Sequence, residues 1–429
     1  AQNVEIKVDS IEKRLGTMYL GNAKDSRTRG LAAYSHSDGV KRIIRSSGDS
    51  LQEYNPSTGD FDDVAGKTYT SDLNTDYLLA NDDLFVFNGT DNLTKYNKDD
   101  SPKITTYTAV SAPTSPSATR GAGLAAGQFT AYYKLTHFNS VGETIATTEF
   151  SVTHDIARDL WDAANEKVTL AWTNSAGASG INVYYSATSG DETYLTTIEG
   201  SATSYDDFGG DLTADGITEP PETNSTAGVI GFAGDFDGTR LWAFKGSALF
   251  YSGPGAGNFD KFDSGSGGGV LYISRGDGDE IKKVLKTRDR TIIVYKEFSI
   301  WRVSFSSTGI IQLQNVNSFI GCVGKRAAIN VDDDQVFLSR FGMFTLGNQP
   351  NFPTDILRVK NISFPIEFDL QKITPGNLPN VVLHYDFQRR LRLAYTEGGA
   401  TYNNSEFIYK YGAWFRNSNI EANCYVNFT

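Results

Sequence analysis

Short runs of apolar and aromatic residues, separated by turns that contain Gly or Asp, cover most of this chain and predict strands rather than helices. The pattern is clearest over 284–346, where a strand, an acidic turn and two aromatic strands occur twice in succession. Asp289 and Asp333 occupy matching turns of the two copies and lie 44 residues apart. Repeats of this length, with three or four short strands each, predict a β-propeller with one blade per repeat.

The same unit recurs along the chain, and each copy has an acidic residue in its first turn. These residues are Asp38, Asp82, Asp237, Asp289, Asp333 and Asp386. Six blades are therefore predicted, and the Asn- and Pro-rich stretch 348–378 leaves a seventh open. Val4, Ile6 and Val8 alternate as in a strand, which we expect to pair with the C-terminal blade near Tyr425 and to protect the open edge of the ring.

A different module interrupts the repeat between two proline-containing segments, near Pro113 and Pro220. Its predicted strands are 129–138, 144–152, 168–172, 181–185 and 194–198. Over 155–164 the apolar residues have helical spacing, which predicts two helical turns. These segments and a core Trp172 resemble an immunoglobulin or fibronectin type III sandwich in permuted order. The predicted fold class is thus an all-β propeller of about six blades with an inserted sandwich. The predicted domains are 1–107, the first part of the propeller, 108–226, the insert, and 227–429, the rest of the propeller.

The distribution of charge along the chain supports this division into domains. The chain has 429 residues and a net charge of −12. Residues 105–224 contain four basic and fifteen acidic side chains, so this segment holds a net −11 and the remainder is nearly neutral. Such an asymmetry is typical of a domain boundary. The two cysteines are too few to cross-link a chain of this length, which favours buried thiols in a reducing compartment.

Candidate chemistry is sparse in the sequence. Asp332, Asp333 and Asp334 offer oxygen ligands for a divalent cation, but no Glu follows at calcium-loop spacing, and hairpin turns favour Asp for its own capping. The four histidines form no metal-binding pattern, and we expect His384 to serve packing. The sequence predicts no catalytic residue, no metal and no cofactor. Mixed-sign loops at 24–29 and 282–290 instead predict subunit contacts, with six candidate residues: Lys24, Arg27, Arg29, Lys282, Lys283 and Arg288.

Three segments carry a resemblance to a known family: Ile311–Leu313, Gly321–Arg326 and Val336–Phe344. They resemble the tail nozzle or tail tubular propellers of short-tailed bacteriophages, which are related to packaged-DNA stabilisation proteins. The resemblance implies a ring, usually of six copies, around the channel through which DNA leaves the virion. It also implies partners on the portal or adaptor side and among tail fibre proteins, transient contact with phage DNA, assembly in the host cytoplasm and no catalytic residues.

Two other functions remain open at this stage. One is a propeller that binds or cleaves carbohydrate at the host surface, because Asp235–Trp242 is loosely similar to the aspartate box of sialidases, although Gly238 follows Asp237 directly. The other is a neck or head-completion protein with the same fold. No apolar run approaches the roughly 20 residues of a membrane span.

Overall fold

The computed structural model describes residues 4–6, 11–13, 27–161, 165–210, 218–263, 265–305, 311–348, 357–418, 420 and 422–428. These residues form antiparallel strands grouped in eight sheets of three or four strands and one two-stranded sheet. Six of the four-stranded sheets are successive blades, which confirms the all-β propeller. No helix in the described ranges is both long and apolar enough to cross a bilayer.

The N-terminal strands and the first two blades precede the insert. Strands β1 and β2 are Val4–Ile6 and Ile11–Lys13. Blade 1 contains β3–β6, which are Thr28–Ser35, Lys41–Ser47, Ser50–Asn55 and Asp60–Asp63. Blade 2 contains β7–β10, which are Asp76–Ala80, Asp83–Phe87, Thr94–Tyr96 and Ile104–Thr105.

The described residues of the insert, 108–161, 165–210 and 218–226, contain seven strands and one 3₁₀ turn at Arg158–Leu160. Strands β11–β17 are Thr114–Arg120, Phe129–Phe138, Phe150–His154, Val168–Thr173, Gly180–Ser186, Thr193–Glu199 and Ser204–Asp207. They form one sheet in the order β11-β14-β17 and another in the order β13-β12-β15-β16.

Four further blades follow the insert. Blade 3 contains β18–β21 (Phe232–Phe236, Leu241–Lys245, Ala248–Tyr251, Gly269–Tyr272). Blade 4 contains β22–β25 (Ile281–Lys286, Ile292–Lys296, Ile300–Phe305, Ile311–Asn317). Blade 5 contains β26–β29 (Ala328–Val331, Asp334–Ser339, Gly342–Asn348, Leu357–Asn361). Blade 6 contains β30–β33 (Val382–Tyr385, Leu391–Tyr395, Ser405–Lys410, Ala413–Ser418).

Blades 5 and 6 are joined by helical turns. These are the 3₁₀ turns Phe364–Ile366 and Pro375–Asn380 and the one-turn helix α1, Glu367–Leu370. The described part of 348–378 therefore holds the fourth strand of blade 5 and helical turns, and it contains no seventh blade. Pro365, Pro375 and Pro379 favour such a connection because proline removes a ladder donor from a strand.

The first strands of consecutive blades contact one another from blade 1 to blade 6, and residues of all six line one cavity, so these strands converge on the axis. Strands alternate in direction within a blade, and the turn between first and second strands therefore always lies on the same face, here called the turn face. The opposite face carries the links from one blade to the next and is called the linker face. All six predicted turn acids lie in these first turns: Asp38, Asp82, Asp237, Asp289, Asp333 and Asp386.

Several turn acids stabilise their own hairpins, whereas Asp82 accepts the Ser37 amide of blade 1 and Asp333 pairs with Arg288 of blade 4. Asp237 Oδ1 accepts hydrogen bonds from the amides of Thr239 and Arg240, each at 2.7 Å. Asp386 Oδ1 accepts from the amide of Gln388 at 3.0 Å. A carboxylate that binds its own backbone in this way favours a tight turn, which explains the Asp in these hairpins.

Hydrophobic clusters join neighbouring blades in series, from blade 1 to blade 6. One cluster spans blades 1 and 2, the next spans blades 2 and 3, another spans blades 3 and 4, and the largest spans blades 4, 5 and 6. Blades are therefore buried on both faces, and in β23 all five residues are buried. None of the clusters of described residues joins blade 6 to blade 1, so polar contacts hold that seam.

The predicted pairing of the N-terminal strand was wrong. Strand β1 pairs with β2, with Ile6 opposite Ile11, while blade 6 draws all four of its strands from 382–418. Residues 7–10, which include the end of the predicted strand, lie outside the described residues. The nearby hairpin partner offers β1 a local ladder, which costs less loop entropy than a partner near Tyr425.

The two sheets of the insert share one core. Tyr133 of β12, Leu170 of β14 and Val183 of β15 are fully buried in a single cluster. The entry and exit of the module are bonded to each other, because Asn224 Nδ2 donates to the Val110 carbonyl at 2.7 Å and the Val110 amide donates to Thr226 Oγ1 at 2.8 Å. The immunoglobulin-like classification stays a prediction, whereas a two-sheet sandwich is observed.

Two predicted elements of the insert differ in the structure. The strand expected over 144–152 is Phe150–His154, because the hydroxyls of Thr144 and Thr147 accept the amides of His137 and Leu135 in place of backbone carbonyls. The predicted helix over 155–164 is a single 3₁₀ turn within the described residues. Its Arg158 instead forms a buried ion pair with Asp207 at 2.8 Å.

Because the insert has its own core and a closed base, we predict that residues 108–226 fold without the propeller. The isolated fragment should unfold in one cooperative transition in urea, followed by circular dichroism. A propeller in which a short linker replaces 108–226 is the matched control and should also unfold cooperatively. If neither piece folds, the insert and propeller form one domain and the boundaries are incorrect.

Candidate functional site at the propeller axis

Two cavities lie along the axis, and residues from several blades line each of them. The cavity that opens on the linker face, here called the axial mouth, has a volume of about 430 Å³ and is lined by Arg29, Phe232, Lys282, Lys325, Tyr402 and Asn423, among others. A second cavity of about 340 Å³, here called the inner cavity, is lined by residues of all six first strands, including Leu31, Tyr77 and Lys283. The axial mouth has the size of a small-molecule site.

Arg326 lies between these cavities and connects elements that are far apart in the sequence. Its Nε donates to Asp76 Oδ1 at 2.7 Å, and its Nη2 donates to the carbonyls of Arg29 at 2.9 Å and Thr75 at 2.8 Å. Its Nη1 donates to the carbonyl of Asn423 at 2.9 Å. The side chain of Arg326 thus binds blade 1, blade 2 and the C-terminal segment at once, and its backbone directly precedes blade 5.

The electrostatics of this contact are those of a paired buried charge. Burial lowers the pKa of Arg326, but Asp76 and neighbouring groups outweigh burial and raise the pKa above its ordinary value. The guanidinium therefore stays charged, and its remaining donors are satisfied by carbonyl oxygens. A second link at the seam is the guanidinium of Arg27, which lies 4.4 Å from the ring centre of Tyr402 in blade 6.

The segment Gly321–Arg326, singled out in the sequence by its resemblance, leads Arg326 to the axis. A Cβ on Gly321 would lie 2.2 Å from the Lys296 carbonyl, and one on Gly324 would lie 2.7 Å from the Pro379 carbonyl. Both glycines are therefore required for close backbone approach. Cys322 is fully buried between them, and its amide donates to the Lys296 carbonyl at 2.8 Å.

The C-terminal segment 422–428 covers the axis. Tyr425 stacks on His384 with ring centres 5.0 Å apart, and its hydroxyl donates to Glu406 Oε2 at 3.1 Å. His384 Nε2 lies 3.0 Å from Asn427 Oδ1, so a second residue of the C-terminal segment contacts this ring. His384 therefore packs the tail, as the sequence analysis expected, and Cys424 lines the inner cavity beside it.

The six predicted contact residues fall into three groups. Arg29 and Lys282 line the axial mouth, Lys283 lines the inner cavity, and Arg27 lies nearby on Tyr402. Arg288 lies on the turn face, where it pairs with Asp333 of the next blade at 3.0 Å and is 80% exposed. Lys24 lies outside the described residues. The structure thus brings two distant basic loops together at the axis, which the sequence spacing did not reveal.

One cluster on the turn face has the composition of a metal site. His36, Asp38 and Asp99 have their ligand atoms within 4.8 Å of one another. The ammonium of Lys98 lies 2.6 Å from carboxylate oxygens of both Asp38 and Asp99. Lys98 supplies the positive charge that such a cluster attracts, so the geometry is explained without a cation.

A patch of exposed aromatic side chains, here called the phenylalanine patch, lies on the linker face of blades 4 and 5. Its members are Phe298, Phe319, Phe341, Phe364 and Phe368, which range from 43% to 82% exposed. Ile300 pairs with Asn317, so Phe298 and Phe319 lie beyond the same edge of blade 4. Phe341 and the helix 367–370 border one cavity of about 360 Å³ in blade 5. The sequence analysis missed this patch because its residues come from separate links and turns.

Basic side chains border the phenylalanine patch. The guanidinium of Arg340 lies 4.9 Å from the ring centre of Phe298, and the ammonium of Lys372 lies 4.7 Å from that of Phe368. Cation–aromatic contacts of this kind are favourable, yet Phe298 remains 43% exposed and Phe368 75% exposed. A large exposed apolar patch marks an interaction site.

No family model matches the chain, and no curated protein matches it. Among solved structures, the chain is similar to virginiamycin B lyase from Staphylococcus aureus, with 10% identity and a TM-score of 0.31, over 88% of this chain and 94% of the lyase. A protein from Lactobacillus plantarum is similar at 11% identity and a TM-score of 0.31, over 92% of this chain and 97% of that protein. Identities this low transfer no activity, ligand or partner.

Removal of Arg326 should open the blade 6–blade 1 seam. We predict that Arg326→Ala lowers the free energy of unfolding by about 3–5 kcal/mol, because Asp76 is left without its buried partner. Arg288→Ala is the matched control and should change it by less than about 1 kcal/mol, since that ion pair is exposed. Urea denaturation measures both. Equal effects of the two substitutions would contradict the role assigned to Arg326.

The reactivity of the two thiols reports whether the C-terminal segment covers the axis. Burial raises the pKa of Cys322 to about 12 and that of Cys424 to about 11, so both are protonated at neutral pH. We predict that neither reacts with a disulfide reagent in the native protein. In a Cys322→Ser background, adding Arg326→Ala should speed the reaction of Cys424, because Asn423 loses its hydrogen bond. A Cys424 that reacts in the native protein as fast as in urea would show that the tail does not cover the axis.

Proposed function

We propose that this protein is a structural virion protein of a bacteriophage tail, whose copies form a ring that retains and conducts genomic DNA. The phenylalanine patch carries the proposal, because five exposed phenylalanines on one face require a protein partner in the assembled state. In a cyclic assembly each copy uses two different surfaces, one for each neighbour. We assign the patch as one of these surfaces and take six as the number of copies from the family resemblance.

Charge complementarity supports a second copy as the occupant. Arg340 and Lys372 border the patch, where they pair with Glu297 and Asp369 of the same chain, and the insert holds a net charge of −11 over 105–224. An acidic module of the next copy that exchanged these pairs for contacts with its own carboxylates would favour one orientation of the contact. The exposed Leu160, 68% accessible beside Asp159, is the kind of apolar residue such a contact would cover.

The filled axis determines where DNA would pass. Arg326 and the C-terminal segment occupy the centre of the propeller, and the remaining space consists of small cavities. The proposed channel therefore lies between copies, around the symmetry axis of the ring, and not through a propeller. The near-neutral charge of the propeller suits such a conduit, since a lysine-rich wall would hold phosphates tightly.

The resemblance gains support from the roles of the residues that carry it. Gly321 and Gly324 allow close backbone approach at the link between blades 4 and 5, and Arg326 joins blade 1, blade 2 and the C-terminal segment. The proposed partners are the adaptor or portal-side protein at one end of the ring and tail fibre proteins at its side.

Photo-crosslinking in the virion tests the contact. A photoreactive phenylalanine analogue at position 319 should cross-link to a second copy of this chain in assembled particles. The matched control carries the analogue at Phe387, which is 61% exposed on the turn face, and should not cross-link to a second copy. Cross-linking from position 319 only to other proteins, or a chain located outside the tail in images of the virion, would contradict the ring.

Substitution of the patch gives an independent prediction. Phe319→Ser combined with Phe368→Ser should leave the thermal stability of the isolated protein unchanged, because both side chains are more than 70% exposed. The same variant should be incorporated into particles far less than Phe387→Ser. Normal incorporation of the double variant would exclude the patch from the contact between copies.

A further inference from the structure

One cation of the axial mouth is not balanced by the described side chains, whereas Arg29 lies 3.7 Å from the carboxylate of Asp72. The charged residues that line the mouth are Arg29, Asp76, Glu280, Lys282, Lys325 and Arg326. Asp76 is neutralised by Arg326 at 2.7 Å, and Glu280 lies 3.5 Å from Lys282. Lys282 also pairs with Glu297 at 3.3 Å. Among these residues, the ammonium of Lys325 has no ion pair with a carboxylate of the described chain.

Lys325 is held at the wall of the mouth by an aromatic ring. Its Nζ lies 3.2 Å from the ring centre of Phe232. Phe232 itself is fixed against Gly89, where a Cβ would lie 2.0 Å from the ring, and Gly89 has a φ of +78° that favours glycine. The ammonium is therefore positioned by two blades, and it is not a freely mobile surface lysine.

The surroundings of Lys325 disfavour a solitary positive charge. Burial lowers the pKa of Lys325 and the nearby Lys282 lowers it further, while Glu280 and Asp76 oppose this shift and Lys245 makes a smaller contribution to it. A bound anion would relieve this repulsion and would restore the charged form of the lysine. The amide side chains of Asn74 and Asn423 line the same cavity and can donate hydrogen bonds.

We propose that the axial mouth binds a small oxyanion, with a carboxylate or a phosphate group, and that Lys325 is its main cationic contact. The cavity of about 430 Å³ accepts a small molecule or the end of an acidic side chain. This site is separate from the phenylalanine patch, so it does not depend on the ring assembly. It would give the protein a ligand that binds at the seam between the first and last blades.

Calorimetric titration of the isolated full chain tests the site. The probes are pyrophosphate and citrate, each at a fixed ionic strength maintained with sodium chloride. We expect saturable binding of one equivalent, and the stronger of the two probes identifies the preferred oxyanion. Lys325→Gln should weaken binding roughly tenfold or more, because a charge-assisted hydrogen bond is lost. Lys325→Arg should retain most of the affinity.

Arg288→Gln is the matched control, because it removes one positive charge from the turn face and leaves the mouth intact. It should not change the affinity. Thermal unfolding of each variant without the probe establishes that it is folded. Absence of saturable binding by either probe, or equal affinities for the Lys325→Gln variant and the native protein, would overturn the proposal.

Discussion

The Arg326 guanidinium lies where the first two blades and the C-terminal segment converge, and closure of the propeller depends on its contacts. Four acceptors surround it, one a carboxylate and three backbone carbonyls. Desolvation of a charge is costly, and only this degree of pairing offsets it. A hydrophobic contact would accept many registers between the first and last blades. We infer that the planar, five-donor guanidinium selects one register.

The same contact explains why the two faces of the propeller carry different side chains. Arg326 enters from the link between blades 4 and 5, so the basic residues of the mouth and the tail that covers it meet on the linker side. The six turn acids lie on the other face, where their own amides satisfy several of them. The two faces therefore differ in chemistry: one offers carboxylates already engaged in turns or ion pairs, and the other offers exposed phenylalanines and the ammonium of Lys325.

The repeat and its blades were predictable because each hairpin carries local signals, an Asp in the turn and apolar residues on both sides. Fourth strands such as Asp60–Asp63 and Ile104–Thr105 were missed, since they are short, polar and defined by a partner strand. The axial mouth could not be predicted from the sequence either. Arg29 and Lys282 are 253 positions apart, and only closure of the ring brings them together. Local patterns thus predict elements, while the site arises from long-range contacts.

Closure at a polar seam also constrains how the protein can assemble. Blades 1 to 6 share hydrophobic clusters in sequence, but the last junction relies on Arg326, on Arg27 against Tyr402 and on the tail. A neighbour bound through blades 4 and 5 would contact the part of the propeller with the largest continuous hydrophobic core. Strain from binding there is least able to separate one blade from the next. The phenylalanine patch lies on these two blades. An assembly contact placed there would leave the axis, its cavity and its tail free for a separate role.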